Sequence, residues 1–338
     1  MPVEPVVVTR AREFKAALLR REEAQMAEMV RRWRGVEVAL QAQIENMAQF
    51  AATEAAAGRA LTQEALLTMD RYQSLLRQTN AEIGRYGAWA ERAITSEQAS
   101  LAALGLTQAT ELVGISAEAA QIAGTFSRLP VQAVEQMVGL AGDGTPLRNL
   151  LAQAWPDAVA GLTDELINGI ALGRNPRVIA QRMIDNGLAT GLQRAMVISR
   201  TEVLRAYRTA SQMQYKASRV VTGYKRISAH DGSVCLGCLV MDGQVYELDV
   251  DFQSHPNCRC GLIPVLAGAN NVTWESGETW LRNQSQDTQR EIMGPGRYDL
   301  WAKGQVDFAK LATVRRNATW GDAVVPTPLR DLVAQAAS

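Results

Sequence analysis

Positions Leu192, Met196, Ser199, Val203, Ala206, Ala210, Met213, Ala217 and Val220 recur at alternating steps of four and three. That spacing draws one stripe along a helix roughly eight turns long, and its small residues allow close packing against a neighbour. A second stripe, Phe14, Leu18, Met26, Met29, Val30, Trp33 and Val36, marks another amphipathic helix near the amino terminus. No proline interrupts the chain between Pro5 and Pro130, and Ala, Glu, Gln, Arg, Leu and Met dominate there, so this third is predicted helical. Gly35, Gly58, Gly84, Gly87 and Gly105 are expected to separate or kink its helices.

A second helical block is predicted after the loop AGDGTP (Ala141 to Pro146). Leu162, Leu166 and Ile170 lie four apart, Asn175 can cap, Pro176 takes a first helical position, and Gly187 is expected to stop that helix. At Val221 the period changes. VVTGYKRIS, QVYELDV after an Asp-Gly pair, and CGLIPVL read as three short strands of one small antiparallel sheet. Beyond Pro264 come a polar, turn-rich stretch (AGANNVTWESGE), the segment WLRNQSQDTQREIM, an expected loop GPGRYDLWAKGQ, an expected helix DFAKLATVRR, and a final loop with a short helix capped near Thr327.

The fold class that emerges is mainly α: long N-terminal helices and a helical middle block, then a small metal-stapled antiparallel β module and an irregular or helical C-terminal tail. The expected domains are 1–140, helical; 145–265, with a Cys/His module at 221–265; and 266–338, a C-terminal extension. No fixed-period repeat of the solenoid or propeller kind is present.

Composition changes this picture little. The 338 residues are 47% hydrophobic and 21% charged, and 35 basic residues balance 35 acidic ones, so no global field draws the chain to nucleic acid or an anionic membrane. From Arg10 to Arg34 there are eight basic against four acidic residues, which read either as a solvated helix face or as a contact for DNA or an acidic partner. Neither a signal-peptide core nor a spanning apolar run is visible, which leads to the expectation of a cytoplasmic protein with reduced thiols.

All four cysteines fall in one window. Cys235 and Cys238 form C-x2-C, and His255, Cys258 and Cys260 follow as H-x2-C-x-C. Two such knuckles aim thiolates and an imidazole at one point, and four of the five donors would close a structural zinc site. Reduced structural cysteines or loosely paired disulfides, and a catalytic metal or redox pair, are the alternatives. A thioredoxin-like C-x-x-C needs a βαβ setting, and a zinc deaminase needs H-x-E, where this chain has AHDGSV; neither template fits. His-Asn-His nucleases resemble the HPN at 255–257 only superficially. His230 is an alternative ligand but reads more simply as an exposed loop residue. Arg200, Thr201, Glu202 and Arg205 read as a solvated helix face with an exposed ion pair; the functional alternative is that Arg200 and Glu202 tie the helix to the metal module, for instance through Asp231. A DNA-reading zinc module is disfavoured by the four acidic residues and absence of basic ones between Asp242 and Asp251.

The ordered strings ISRTEVLRAY, VTGYKRISAHDGSVCLGC, MDGQVY and HPNCRCGLIPV resemble the core of the phage Mu protein F-like family, minor head or head-morphogenesis proteins of tailed phages and prophages. The resemblance covers about residues 145–265. The family's R-T-E helix, its aspartate before the first cysteine and its H-P-x-C-R-C correspond to Arg200, Thr201, Glu202, Asp231, Cys235, Cys238, His255, Pro256, Cys258, Arg259 and Cys260, although the usual T-C-P-x-C stands here as V-C-L-G-C. The tail from about Gln289 also resembles an extension of many members. The resemblance implies a virion component at the portal vertex, made in the host cytoplasm and needed for head assembly, whose partners are the portal protein and other capsid or scaffold proteins, with DNA contacts in some relatives. It implies no catalytic residues, no membrane and no small-molecule substrate. Arg200, Glu202, Asp231 and Arg259 would support the site. The competing reading is a virion-packaged, metal-dependent nuclease or other DNA-processing enzyme using Asp231, His230 and His255.

Overall fold

The proline-free third folds as its helix formers dictate. In the computed structural model, which describes residues 4–336 except 60, 125, 233, 269–271 and 318, α1 (Val6–Ala56) and α3 (Asp70–Ala119) are helices of 51 and 50 residues, joined through α2 (Gln63–Thr68). After α4 (Gln132–Glu135) come α5 (Leu147–Ala152), α6 (Trp155–Ala171) and α7 (Pro176–Arg182), then a π-helical turn, Met183–Leu188, that leads into α8 (Ala189–Ser218). The remainder is β1 (Val221–Ile227), α9 (Leu236–Val240), β2 (Val245–Glu247), β3 (Gly261–Leu266), α10 (Gly277–Arg282), α11 (Gln286–Met293), α12 (Pro295–Ala302), a 3-10 turn at Phe308–Leu311, β4 (Ala312–Asn317), β5 (Gly321–Pro326) and α13 (Leu329–Ala336). The chain is mainly α with a small antiparallel sheet, as its pattern predicts. Residues 269–271 of the turn-rich stretch lie outside the described residues.

Several boundaries differ from expectation. Gly35, Gly84, Gly87 and Gly105 sit inside unbroken helices, because a glycine costs about 1 kcal/mol in a helix and the buried apolar residues around it outweigh that. Gly105 has a packing reason: a Cβ there would stand 2.5 Å from the carbonyl oxygen of Tyr207, so α3 and α8 approach closely at this point. Gly187 does not end a helix but lies within the π-helical turn. In the tail, PGRYDLWA is helix α12 rather than loop, and ATVRRN is strand β4, paired antiparallel with β5, rather than helix.

Contacts gather into two units that cut across the sequential division at 140 and 265. One comprises residues 22–96 and 139–200, the other 1–21, 97–138 and 201–338. The first unit centres on Trp33, Tyr86 and Trp155: the Trp33 and Tyr86 rings meet edge to face at 4.8 Å, and Trp33 stacks on Trp155 at 6.4 Å. Leu162 and Leu166 of α6, spaced as the sequence pattern requires, are fully buried.

The second unit holds the sheet, in the order β2-β1-β3 with all pairings antiparallel. Tyr224 of β1 and Leu262 and Leu266 of β3 pack with Ala109, Val113 and Ala117 of α3 and Tyr215 of α8. Val7, Val8, Ala11 and Phe14 of α1 cover Ile227 and Ile263. A separate core joins α9 and three cysteines to Leu281, Met293, Trp301, Phe308, Leu311 and Leu332, so the C-terminal extension supplies the apolar core that the Cys/His module lacks by itself.

Candidate metal centre

Cys235 caps α9. Its backbone is extended, and its sulfur accepts the amide of Cys238 at 3.3 Å, which leaves both thiols on one side of a single turn. The C-x2-C pair thus opens a short helix rather than forming a knuckle between strands. α9 is held tightly from two directions: a Cβ at Gly237 would meet Val324 of β5 at 3.2 Å, and one at Gly277 of α10 would collide with the Leu239 carbonyl. The V-C-L-G-C variant therefore places its glycine where the β4–β5 hairpin packs.

The second half of the centre enters from the loop before β3. Asn257 takes a left-handed backbone, φ 63°, and its amide donates to Thr201 Oγ1 at 3.1 Å. Arg208 Nη1 donates to the Cys258 carbonyl at 3.0 Å. Thr201, Glu202 and Arg208 are all buried, so α8 is covered on more than its apolar stripe, and the face expected to be solvated instead holds the H-P-N-C loop. Glu202 pairs with Arg205, with Nε to Oε2 at 3.0 Å, and Arg200 pairs with buried Glu22. Asp231 lies exposed between β1 and α9, and Arg259 lies half-buried between Cys258 and Cys260.

The five expected donors come together as two groups that share Cys238: Cys235, Cys238 and His255, and Cys238, Cys258 and Cys260. His255 Nε2 lies 3.1 Å from Cys235 Sγ and 3.2 Å from Cys238 Sγ, and Cys238 Sγ lies 3.8 Å from Cys258 Sγ. Two sulfurs on a tetrahedral zinc with bonds of about 2.3 Å stand about 3.7 Å apart, so the last spacing fits. His255 Nδ1 faces the Pro256 carbonyl at 2.7 Å. A carbonyl only accepts, so Nδ1 carries the hydrogen and Nε2 is free to bind metal, the arrangement that orients a ligating imidazole.

The donors share protons. The Cys238 thiol, then His255, hold Cys235 down to about 5, and Cys238 and Cys260 hold Cys258 well below the usual thiol range. Cys238, beside ionised Cys235, is pushed up. Burial pushes His255 down, but Cys235 and Cys258 outweigh it and hold the imidazole up to about 10. A soft divalent metal binding here would displace the protons these donors share. Four of the donors, Cys235, Cys238, His255 and Cys260, line a cavity of only about 40 Å³, whereas small-molecule sites run from about 300 Å³.

His230 is not the exposed residue anticipated. It is half-buried, with a side chain only 8% exposed, lies 3.1 Å from Asp242 and stacks on Trp280 at 5.4 Å, and it belongs to neither donor group. Burial raises the Asp242 carboxyl, but His230, the Ser228 amide and Trp274 Nε1 offset this and hold it below the ordinary aspartate range.

Sequence reasoning missed Arg226. This β1 residue is 1% exposed, and its guanidinium lies over Phe252 at 4.4 Å and donates toward two of the thiols. The signal was an arginine inside an apolar strand next to four cysteines.

Residues 160–263 match the family model described as Phage Mu protein F like protein. Over these residues, about a third of the chain, the sequence is similar to the Phage Mu F-like family. The matched segment runs from α6 through β3 and includes the R-T-E helix and all five donors. No curated protein and no solved structure matches the chain. No helix among the described residues is long and apolar enough to cross a membrane.

Proposed function

We propose that the protein is a minor head component of a tailed phage or prophage, acting in head assembly at the portal vertex through contacts with the portal and other capsid or scaffold proteins, and that zinc bound by four of Cys235, Cys238, His255, Cys258 and Cys260 holds its Mu F-like segment together. The observation that carries this reading is the bond from the Asn257 amide to Thr201 Oγ1. It joins the R-T-E helix to the H-P-N-C-R-C loop, so the family's separate motifs form one structural unit around the donor cluster.

The reading is of a structural protein rather than an enzyme. The donor cluster encloses space for an ion, and His230, the second histidine a nuclease would need, is engaged by Asp242 and Trp280. Zinc, when bound, would supply cross-linking: it replaces shared protons and fixes the two loops against α8. The long helices α1 and α3 are the proposed partner-binding elements, since extended helical faces suit helix-in-groove contacts.

Phage particles assembled with and without the intact gene test this. The protein should be found in heads at low copy number, should co-purify with portal on co-expression, and its loss should yield defective heads. Normal infectious particles lacking the protein would overturn the proposal. DNA contact is tested by salt-dependent binding of the full chain to duplex DNA.

A further inference from the structure

Lys15 of α1 carries an ammonium that is buried and has no hydrogen-bond partner among the described residues, although its carbon stem reaches the surface. Together with Tyr207, Arg259 and Cys260 it lines a cavity of about 20 Å³, room for a single water. Burial pushes the Lys15 ammonium down, while Cys260, Asp231, Cys238 and Cys258 pull it back up. Cys260 lies both on this cavity and in the Cys238–Cys258–Cys260 group. An unpaired buried charge is costly and persists where an opposite charge faces it. A zinc ion held by three or four thiolates has a net charge of about −1 to −2, which would be that charge.

We infer that Lys15 is a further counter-charge of the metal centre, beside Arg226 and Arg208, and couples metal loading to the packing of the first turns of α1. This rests on the zinc reading above. With metal bound, the fixed thiolates attract the ammonium and hold residues 6–20 in place. With metal removed, the loops carrying Cys238, Cys258 and Cys260 lose the ion that orders them, the sulfurs facing Lys15 are no longer held in place, and this end of α1 loosens.

The test is hydrogen–deuterium exchange on the full chain, zinc-loaded and after a zinc chelator, for the wild type, Lys15→Met and Lys15→Arg. Chelation should speed amide exchange across residues 6–20 by at least ~tenfold in the wild type but less than ~threefold in Lys15→Met, whose buried end needs no counter-charge. Lys15→Arg should keep the wild-type response. Equal responses in the wild type and Lys15→Met would overturn the coupling while leaving the zinc site intact. Should Lys15→Met not fold, Lys15→Arg decides alone, since loss of the response with the charge retained contradicts the inference. A wild-type chain that binds no zinc overturns the underlying reading, and the inference with it.

Discussion

Arg226 Nη2 lies 3.3 Å from Cys258 Sγ and 3.6 Å from Cys238 Sγ, so one guanidinium on the central strand serves both halves of the donor cluster. Its Nη1 also reaches the Gln253 carbonyl at 3.3 Å. Burial works against this charge, and the thiols more than compensate. Arg226→Met keeps the stem but removes the donor; it should weaken zinc binding by about 10–100-fold, as losses around metal ligands do. Competition with a chromophoric chelator measures this, and unchanged affinity would show that Arg226 is only packing.

Thr201 is the hydroxyl on which the H-P-N-C loop hangs. Thr201→Val preserves shape and leaves the Asn257 amide without its acceptor, so unfolding free energy should fall by about 1–3 kcal/mol. Thr201→Ser should recover most of it. Denaturant titration of the three proteins at equal zinc occupancy decides.

Asp242 makes stability depend on pH. Its folded-state value lies below the ordinary 3.8, so its contribution is fully present above that pH and is lost as pH falls through the folded value. Asp242→Asn should therefore be less stable than wild type at neutral pH, and the gap should shrink on acidification below about 3.8. A gap that is constant with pH would contradict this account of the His230–Asp242–Trp274 contacts.

The C-terminal extension should hold the metal centre from outside its own loops. Leu281 is fully buried in the core that contains Cys238, Cys258 and Cys260. Leu281→Ala should cost about 2–5 kcal/mol and speed zinc loss to a chelator. Zinc release at the wild-type rate would mean that the module is independent of the tail.

Much of this architecture is legible in the residues themselves. The three strands follow β-branched runs around Asp242-Gly243, and the Cys/His window holds the five side chains that the fold brings together. What is not legible depends on distant partners. β4 reads as helix because Phe308, Leu311 and Val314 are spaced three apart, yet Phe308 and Leu311 form a 3-10 turn and the strand is fixed by pairing with β5. Gly105 reads as a break because nothing local shows that the Tyr207 backbone needs the space. Lys15 reads as part of a basic helix face, and nothing local marks Arg208 or Arg226, because the thiols facing them lie elsewhere in the sequence.

Cys238 belongs to both donor groups, so a closed metal site here depends on it more than on any other ligand. Elemental analysis of protein purified without added metal, beside Cys235→Ser, Cys238→Ser and Cys258→Ser, tests it most directly. About one zinc per wild-type chain is expected, with the most complete loss in Cys238→Ser. A metal-free wild type whose buried thiols stay unreactive in the native state, or zinc retained in Cys238→Ser, would contradict it.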